Sequence, residues 1–408
     1  MKNPRVLALT HSLSPVDGVG VYTSNTLRHL APLCDGIDVV IGKRHRGFSA
    51  DVPRSGVTIY ESLPTDHFPF LSLPKLAWVL FFSLPQLVRA ARRAHIVHSL
   101  SDYPFGFVAA LAARLAGRPL VVSGHGTYAV APAAMPVHRR FLAWMYGRAE
   151  RVLMGADFAK AKVLEVATPR AIETVPYGCE PRNFDELATG GVAPGVPEPY
   201  SLCVGEVKQR KGHHTSLPGF LSAWKERPDI HHVIVGRFVE DDPYYLDLVE
   251  QIEALGAGDH VHFLGNVDEG HKVALMRGAT AFVLTPTTSV EGGFEAFGLV
   301  FLEAGAAGTA VVGTAGSGAE SAITDGSNGT LCPADDSLAV GAALGRLFDD
   351  EALATSQGDA GRKRAEAQTW EAAAKRVRAV YGEILGGEFQ LADDQSPAAR
   401  QAPGDAPA

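Results

Sequence analysis

Short runs that are apolar at consecutive positions punctuate this chain, and most give way to a stretch with helical periodicity. In the first half they are "RVLALTH", "IDVVIG", "HIVHSLS" and "PLVVSGHG"; in the second, "YSLCVGE", "HHVIVG", "VHFLG", "AFVLTP" and "AVVGT". A strand that is apolar on both faces must be covered on both, as in a parallel sheet with helical crossovers. Between the two series, "ATGGVAPGVPEP" is rich in glycine and proline and is predicted to be a linker. The pattern therefore predicts an α/β fold of two doubly wound domains in tandem, residues 1–180 and 199–370, joined over 181–198. Residues 387–408 are polar, rich in Pro and Ala and without period, the composition of a disordered tail. Ligands of open parallel sheets lie beyond the carboxyl ends of the strands. Two such domains facing each other across a cleft would line it with their strand-to-helix loops.

Composition narrows the function. The 408 residues are 46% hydrophobic and 20% charged, with a formal net charge of −8 and no long Lys/Arg run, so no nucleic-acid groove is expected. Cys34, Cys179, Cys203 and Cys332 lie far apart and match no zinc or CxxC spacing, which predicts reduced thiols and a cytoplasmic setting. "MKNPRVLALTHS" enters a strand at once, without the small-residue cleavage site of a signal peptide. In "FPFLSLPKLAWVLFFSLPQLVRAARRAH", Pro74 and Pro85 bracket an apolar piece of about ten residues, too short to span a bilayer. A core helix with a solvated basic end (Arg89, Arg92, Arg93) is the expectation there, because an interfacial helix should show a polar face. Peripheral docking on an anionic membrane is the alternative.

Four loops carry residues suited to chemistry. In "SLSPVDGVGVYTSNTL", Gly18 and Gly20 stand between strand and helix, where backbone can approach an anion. The dinucleotide fingerprint is incomplete, since Thr23 takes the third glycine's place and Asp38 opens a strand where the acidic partner should end one. A plain turn is therefore an equal alternative. "VVSGHGTY" presents His125 at a strand's carboxyl end between two glycines, while His98 in "HIVHSLS" could be structural or functional. "VGEVKQRKGHHTSL" places Lys208, Arg210 and Lys211 before a helix, an arrangement suited to a diphosphate or to a solvated turn. In "TTSVEGGFEAFGLVFLEAGAAG", Glu295 lies in a loop and Glu303 in the second turn of a helix starting at Gly298. Glu295 could simply complement the helix N-terminus. Glu303 has apolar neighbours and no obvious cation; a buried carboxylate there wants hydroxyl donors, such as a ribose diol.

Taken together, "EAFGLVFLE", "DGVGVYTSNTLRHL", "SGHG", "VPYGCEPRNF", "VGEVKQRKG", "HVIVG" and "VHFLGNV" resemble the retaining GT-B glycosyltransferases of family four, over about residues 5–386. The resemblance implies two Rossmann-like domains and transfer of a sugar from a nucleoside-diphosphate sugar to a glycan or lipid-linked acceptor. It implies Glu303 on the donor ribose, and Glu295 with Ala296, Phe297, Gly298, Leu299 and Val300 around the donor sugar and distal phosphate. Lys211 would meet the diphosphate, His125 the reacting sugar, and Gly18 and Gly20 the phosphate side, with Arg237, Phe238 and Val267 bordering the base. "TWEAAAKRVRAVYGEI" looks like that family's C-terminal helix, which would occupy 371–386 and pack back on the first domain. One departure stands out: the resemblance implies Arg in many relatives where this chain has Glu206, so either Arg210 (the favoured candidate) or Lys208 supplies the second cation, or diphosphate binding is weaker than usual. A front-face reaction with no enzymic nucleophile is implied. No Asp-x-Asp occurs, in keeping with an implied catalysis that uses neither cofactor nor obligatory metal. A silent nucleotide-sugar-binding subunit, and a glycosidase using Glu295 and Glu303, are the competing possibilities.

Overall fold

The computed structural model describes residues 2–14, 17–42, 52–53, 55–63, 72–181, 184, 195–288 and 293–389. The tail beyond 389 and residues 185–194 of the predicted linker lie outside them. Two compact units result: Met1–Val122 with Arg148–Arg151 and Ala374–Ala408, and Ser123–Gly147 with Val152–Ala373.

The first sheet is built from β1 (Arg5–Leu9), β2 (Gly36–Gly42), β3 (Val57–Leu63), β4 (Ile96–Ser99), β5 (Leu120–Gly124), β6 (Arg151–Met154) and β7 (Ile172–Thr174), in the order β3-β2-β1-β4-β5-β6-β7. The second holds β8 (Tyr200–Val204), β9 (His231–Val235), β10 (Val261–Gly265), β11 (Ala281–Val283), β12 (Ala310–Thr314) and β13 (Gly329–Cys332), in the order β10-β9-β8-β11-β12-β13. The pairings are parallel. Strands β1, β2, β4, β5, β8 and β12 are buried almost throughout, which explains their consecutive apolar residues. Edge strand β3 alternates exposed and covered positions and escapes a search for apolar runs.

Helices α1 (Gly18–Leu30), α2 (Leu73–Arg93), α3 (Phe105–Ala116), α4 (Thr127–Val130), α5 (Pro136–Arg148) and α6 (Asp157–Val166) lie along the first half. Then follow α7 (His213–Glu226), α8 (Pro243–Ala254), α9 (Glu269–Gly278), α10 (Leu299–Ala306), α11 (Ser337–Asp349), α12 (Glu351–Ala367) and α13 (Trp370–Leu385). Strand order reverses at β1 and at β8, so the chain after β8 crosses to one side of the sheet and the chain after β11 to the other, the kind of switch point at which open parallel sheets bind ligands.

Helix α2 departs from expectation. It runs through Pro85, whose missing N–H frees the carbonyl of exposed Phe81, four residues back. Its aromatic residues are not core: Trp78 is 64% exposed, Phe81 76% and Phe82 54%. Among the described residues no helix is long and apolar enough to cross a membrane.

From residue 374, α13 belongs to the first unit. Tyr381 there bonds the buried His98 (Oη to Nδ1, 2.6 Å), so His98 has a structural partner. Arg378 is fully buried and donates to the carbonyls of Leu33 (3.1 Å), Phe389 (2.9 Å) and Lys2 (3.4 Å).

Candidate functional site

Strand β8 ends into a 3-10 turn, Gln209–Lys211, and then Gly212, the first residue before α7. Gly212 has φ +74°, and a Cβ there would sit 1.6 Å from the Thr285 carbonyl oxygen. Thr285 Oγ1 donates to the Gly212 carbonyl (2.7 Å), and the Thr287 N–H donates to the Arg210 carbonyl (3.1 Å). The basic turn after β8 is thereby fastened to the loop after β11.

That fastening brings the predicted residues together. Lys211 Nζ lies 2.6 Å from Glu295 Oε2, and Arg210 Nη1 3.2 Å from the same oxygen. The Lys211 and Glu295 side chains are only 13% and 14% exposed. Burial alone would raise the Glu295 carboxyl, but the Lys211 and Arg210 charges and the Gly298 N–H hold it below its usual range. Gly298 (φ +76°) precedes α10, whose first N–H groups, those of Leu299 and Val300, lie where a helix has no carbonyl of its own to offer them. A cavity of about 250 Å³ opens beside Glu295, lined by Phe158, Thr287, Phe294, Thr314 and Ser317 among others.

Glu303 does have a cation. Lys272 of α9 lies 3.0 Å from Glu303 Oε2 and 2.8 Å from Glu269 Oε1. Burial would lower the ammonium's pKa, yet the two carboxylates push it well above its ordinary value. No local pattern could announce this pair, because its members are 31 residues apart on different elements.

Glu206 binds cations of its own. Arg237 reaches its Oε1 through Nε (3.0 Å) and Nη2 (2.7 Å), and Lys208 Nζ reaches Oε2 at 2.7 Å. Thus Arg210, not Lys208, joins Lys211, while Arg237 is engaged with Glu206.

His125 follows β5 directly. Its Nδ1 lies 2.5 Å from Tyr177 Oη, and a Cβ on neighbouring Gly126 (φ +133°) would sit 3.1 Å from Ala296 Cβ. The His125 turn therefore abuts the loop that carries Glu295, and Phe158 of α6 meets Phe294 edge-on (5.5 Å). Sequence reasoning passed over Tyr177, although "VPYGCEPRNF" contains it. Gly18 and Gly20 belong to the first unit. A Cβ on Gly20 would lie 2.1 Å from the Ser14 carbonyl oxygen, and the Gly20 N–H is capped by Asp17 Oδ1 (2.8 Å). That N–H thus has an internal partner.

A chain with this site is similar to known proteins throughout. The glycosyl transferases group 1 family matches residues 193–364, and the glycosyl transferase 4-like domain matches 17–178. The phosphatidyl-myo-inositol mannosyltransferase of Mycolicibacterium smegmatis is 29% identical over 239 residues, 58% of this chain and 58% of that protein. The match thus spans under two thirds of that relative. From the same organism, the GDP-mannose-dependent alpha-(1-6)-phosphatidylinositol monomannoside mannosyltransferase is 29% identical over 68% of this chain and 76% of its own. In structure, Anabaena Alr3699/HepE in complex with UDP and glucose superposes with a TM-score of 0.72 at 17% identity, over 93% of this chain and all of that one.

Proposed function

Because this chain belongs to the glycosyl transferases group 1 and has a GT-B fold, we propose that it moves a hexose from a nucleoside-diphosphate sugar to an acceptor hydroxyl with retention of anomeric configuration. The observation that carries this is the buried Lys211–Glu295 pair, joined by the half-buried Arg210, just past the carboxyl end of β8. Two cations meeting one buried carboxylate make a seat for an anion. In the proposed reaction the donor's diphosphate takes Lys211 and Arg210 as partners, with the N–H groups of Leu299 and Val300 toward its distal phosphate. Negative charge grows on the departing phosphate oxygen as the glycosidic bond breaks, and these groups lower that barrier. The acceptor hydroxyl attacks from the same face and passes its proton to the departing diphosphate. Glu295 and His125 address the sugar, and Glu303, held by Lys272, accepts from the ribose hydroxyls. Arg237 borders the base. Lys211 and Arg210 do the charge neutralisation that a divalent metal does elsewhere, so no metal is required.

For the acceptor we propose a lipid-linked glycan or polyol, reached by peripheral contact at the inner face of a membrane. The relatives named for phosphatidylinositol substrates support this. So does α2, whose exposed face runs from Lys75 through Trp78, Phe81 and Phe82 to Arg89, Arg92 and Arg93. Aromatic rings enter the interfacial region, and basic residues meet anionic headgroups.

The test uses purified protein. Thermal midpoints are measured with GDP, UDP and ADP, and nucleotide release from GDP-mannose and UDP-glucose is followed with and without EDTA. One nucleotide should raise the midpoint strongly, and its sugar should be turned over equally well in EDTA. Tight nucleotide binding with no transfer or hydrolysis of any hexose donor would instead identify a silent binding subunit. Co-sedimentation with vesicles should require anionic lipid; sedimentation indifferent to it would sink the membrane proposal.

A further inference from the structure

The Tyr177 hydroxyl lies 2.5 Å from His125 Nδ1 and 3.4 Å from the Gly124 carbonyl oxygen. A phenol has one proton to give, and an imidazole nitrogen much nearer than the carbonyl is the better acceptor. An imidazole that accepts at Nδ1 while neutral must carry its proton on Nε2. The ring that makes this bond is itself immobilised. Tyr177 is buried, stacks on Trp370 (6.0 Å, 22°), and lies 5.0 Å from Phe297. It also occupies the space above Gly155, where a Cβ would meet its Cε1 at 2.5 Å. Phe297 sits in the loop between Glu295 and Gly298, so one aromatic ring touches both the His125 turn and the Glu295 loop.

We propose that Tyr177 is a positioning residue: its hydroxyl locks His125 as the Nε2–H tautomer, so that the imidazole offers a hydrogen-bond donor to an oxygen of the donor sugar. This rests on the assignment of His125 to the sugar made above. With Nδ1 tied to Tyr177, the ring keeps one orientation and, while neutral, carries its proton on Nε2. Loss of the hydroxyl would let the ring exchange tautomers, and the Nδ1–H form turns an acceptor toward the sugar where a donor is needed.

Tyr177→Phe keeps the ring and removes the bond. In protein labelled with ¹⁵N-histidine, the His125 signals are assigned by their absence in His125→Ala. They should report the Nε2–H tautomer in the wild type and a mixture in Tyr177→Phe. In turnover, Tyr177→Phe should lose about tenfold in kcat, with the donor KM within twofold and the thermal midpoint unchanged. In the His125→Ala background the same change should have no further effect. A wild-type Nδ1–H tautomer, or an equal loss in the His125→Ala background, overturns the proposal. If no hexose donor is turned over at all, the transferase proposal fails, while the nitrogen spectra still decide the tautomer.

Discussion

Glu295 shares one of its oxygens, Oε2, between Lys211 and Arg210, the two cations that the proposed function assigns to the donor diphosphate. Breaking a buried ion pair from one side costs about 3–5 kcal/mol, because the other charge is left uncompensated. Glu295→Gln should therefore lower the thermal midpoint of the free protein. The rise in midpoint on adding the cognate nucleoside diphosphate should be larger in the variant than in the wild type, because the ligand then supplies the missing anion. Lys211→Met should do the reverse, weakening diphosphate binding about 10- to 100-fold, the scale of a charge-assisted bond. Titration calorimetry on both variants checks this; weaker nucleotide binding in Glu295→Gln than in the wild type would contradict it. Lys272 could not be anticipated in the same way. Its role depends on which face α9 turns toward α10, and that follows from the packing of the whole second sheet.

At the scale of the element, the junction between β8 and α7 is the most constrained point of the site. Gly212 combines a left-handed backbone with contact against the β11 loop closer than any side chain allows. Gly212→Ala should cost about 2–5 kcal/mol, the sum of a left-handed penalty and forced separation of the two loops. A matching loss of nucleotide affinity is expected, measured by urea unfolding and calorimetry; an unchanged midpoint would show that the turn is free to move. Strands such as β1, β8 and β12 were legible from residues alone, because burial on both faces leaves few polar positions. β3 was not, because an edge strand keeps a solvated face. Helix α2 misled for a related reason. Its apolar residues suggested burial, but Trp78, Phe81 and Phe82 face outward, and Pro85 is tolerated where the freed carbonyl is on an exposed turn.

For the molecule as a whole, buried histidines set a limit on acid tolerance. Burial pushes His213 down to about 4 and His232 down to about 3, whereas both titrate near 6.5 in an unfolded chain. Below pH 6.5 the unfolded state therefore takes up protons that the folded state refuses. Stability is whole above 6.5 and falls as pH drops, by about 1.4 kcal/mol per unit for each group. The decline due to His213 ends near pH 4. Glu295 adds its own loss only as pH falls below 4.5 through its lowered value. Urea midpoints between pH 7 and 4 should fall less steeply in His213→Gln than in the wild type; parallel slopes would exclude the histidine. The alternation of strands and helices made both sheets foreseeable, and the loops of the site with them. Interactions between distant elements, such as Tyr177 with His125, were beyond reach because nothing in a linear pattern sets them.

Arg378 joins what the chain keeps farthest apart. Its guanidinium gathers the carbonyls of Lys2 and Phe389, and the Lys2 N–H donates to the Glu388 carbonyl at 2.9 Å. Residues 2 and 388 are therefore neighbours, and the backbone between them forms an almost closed ring. A molecule tethered by those two points and pulled would bear the load first on this small clasp, before either sheet felt any force.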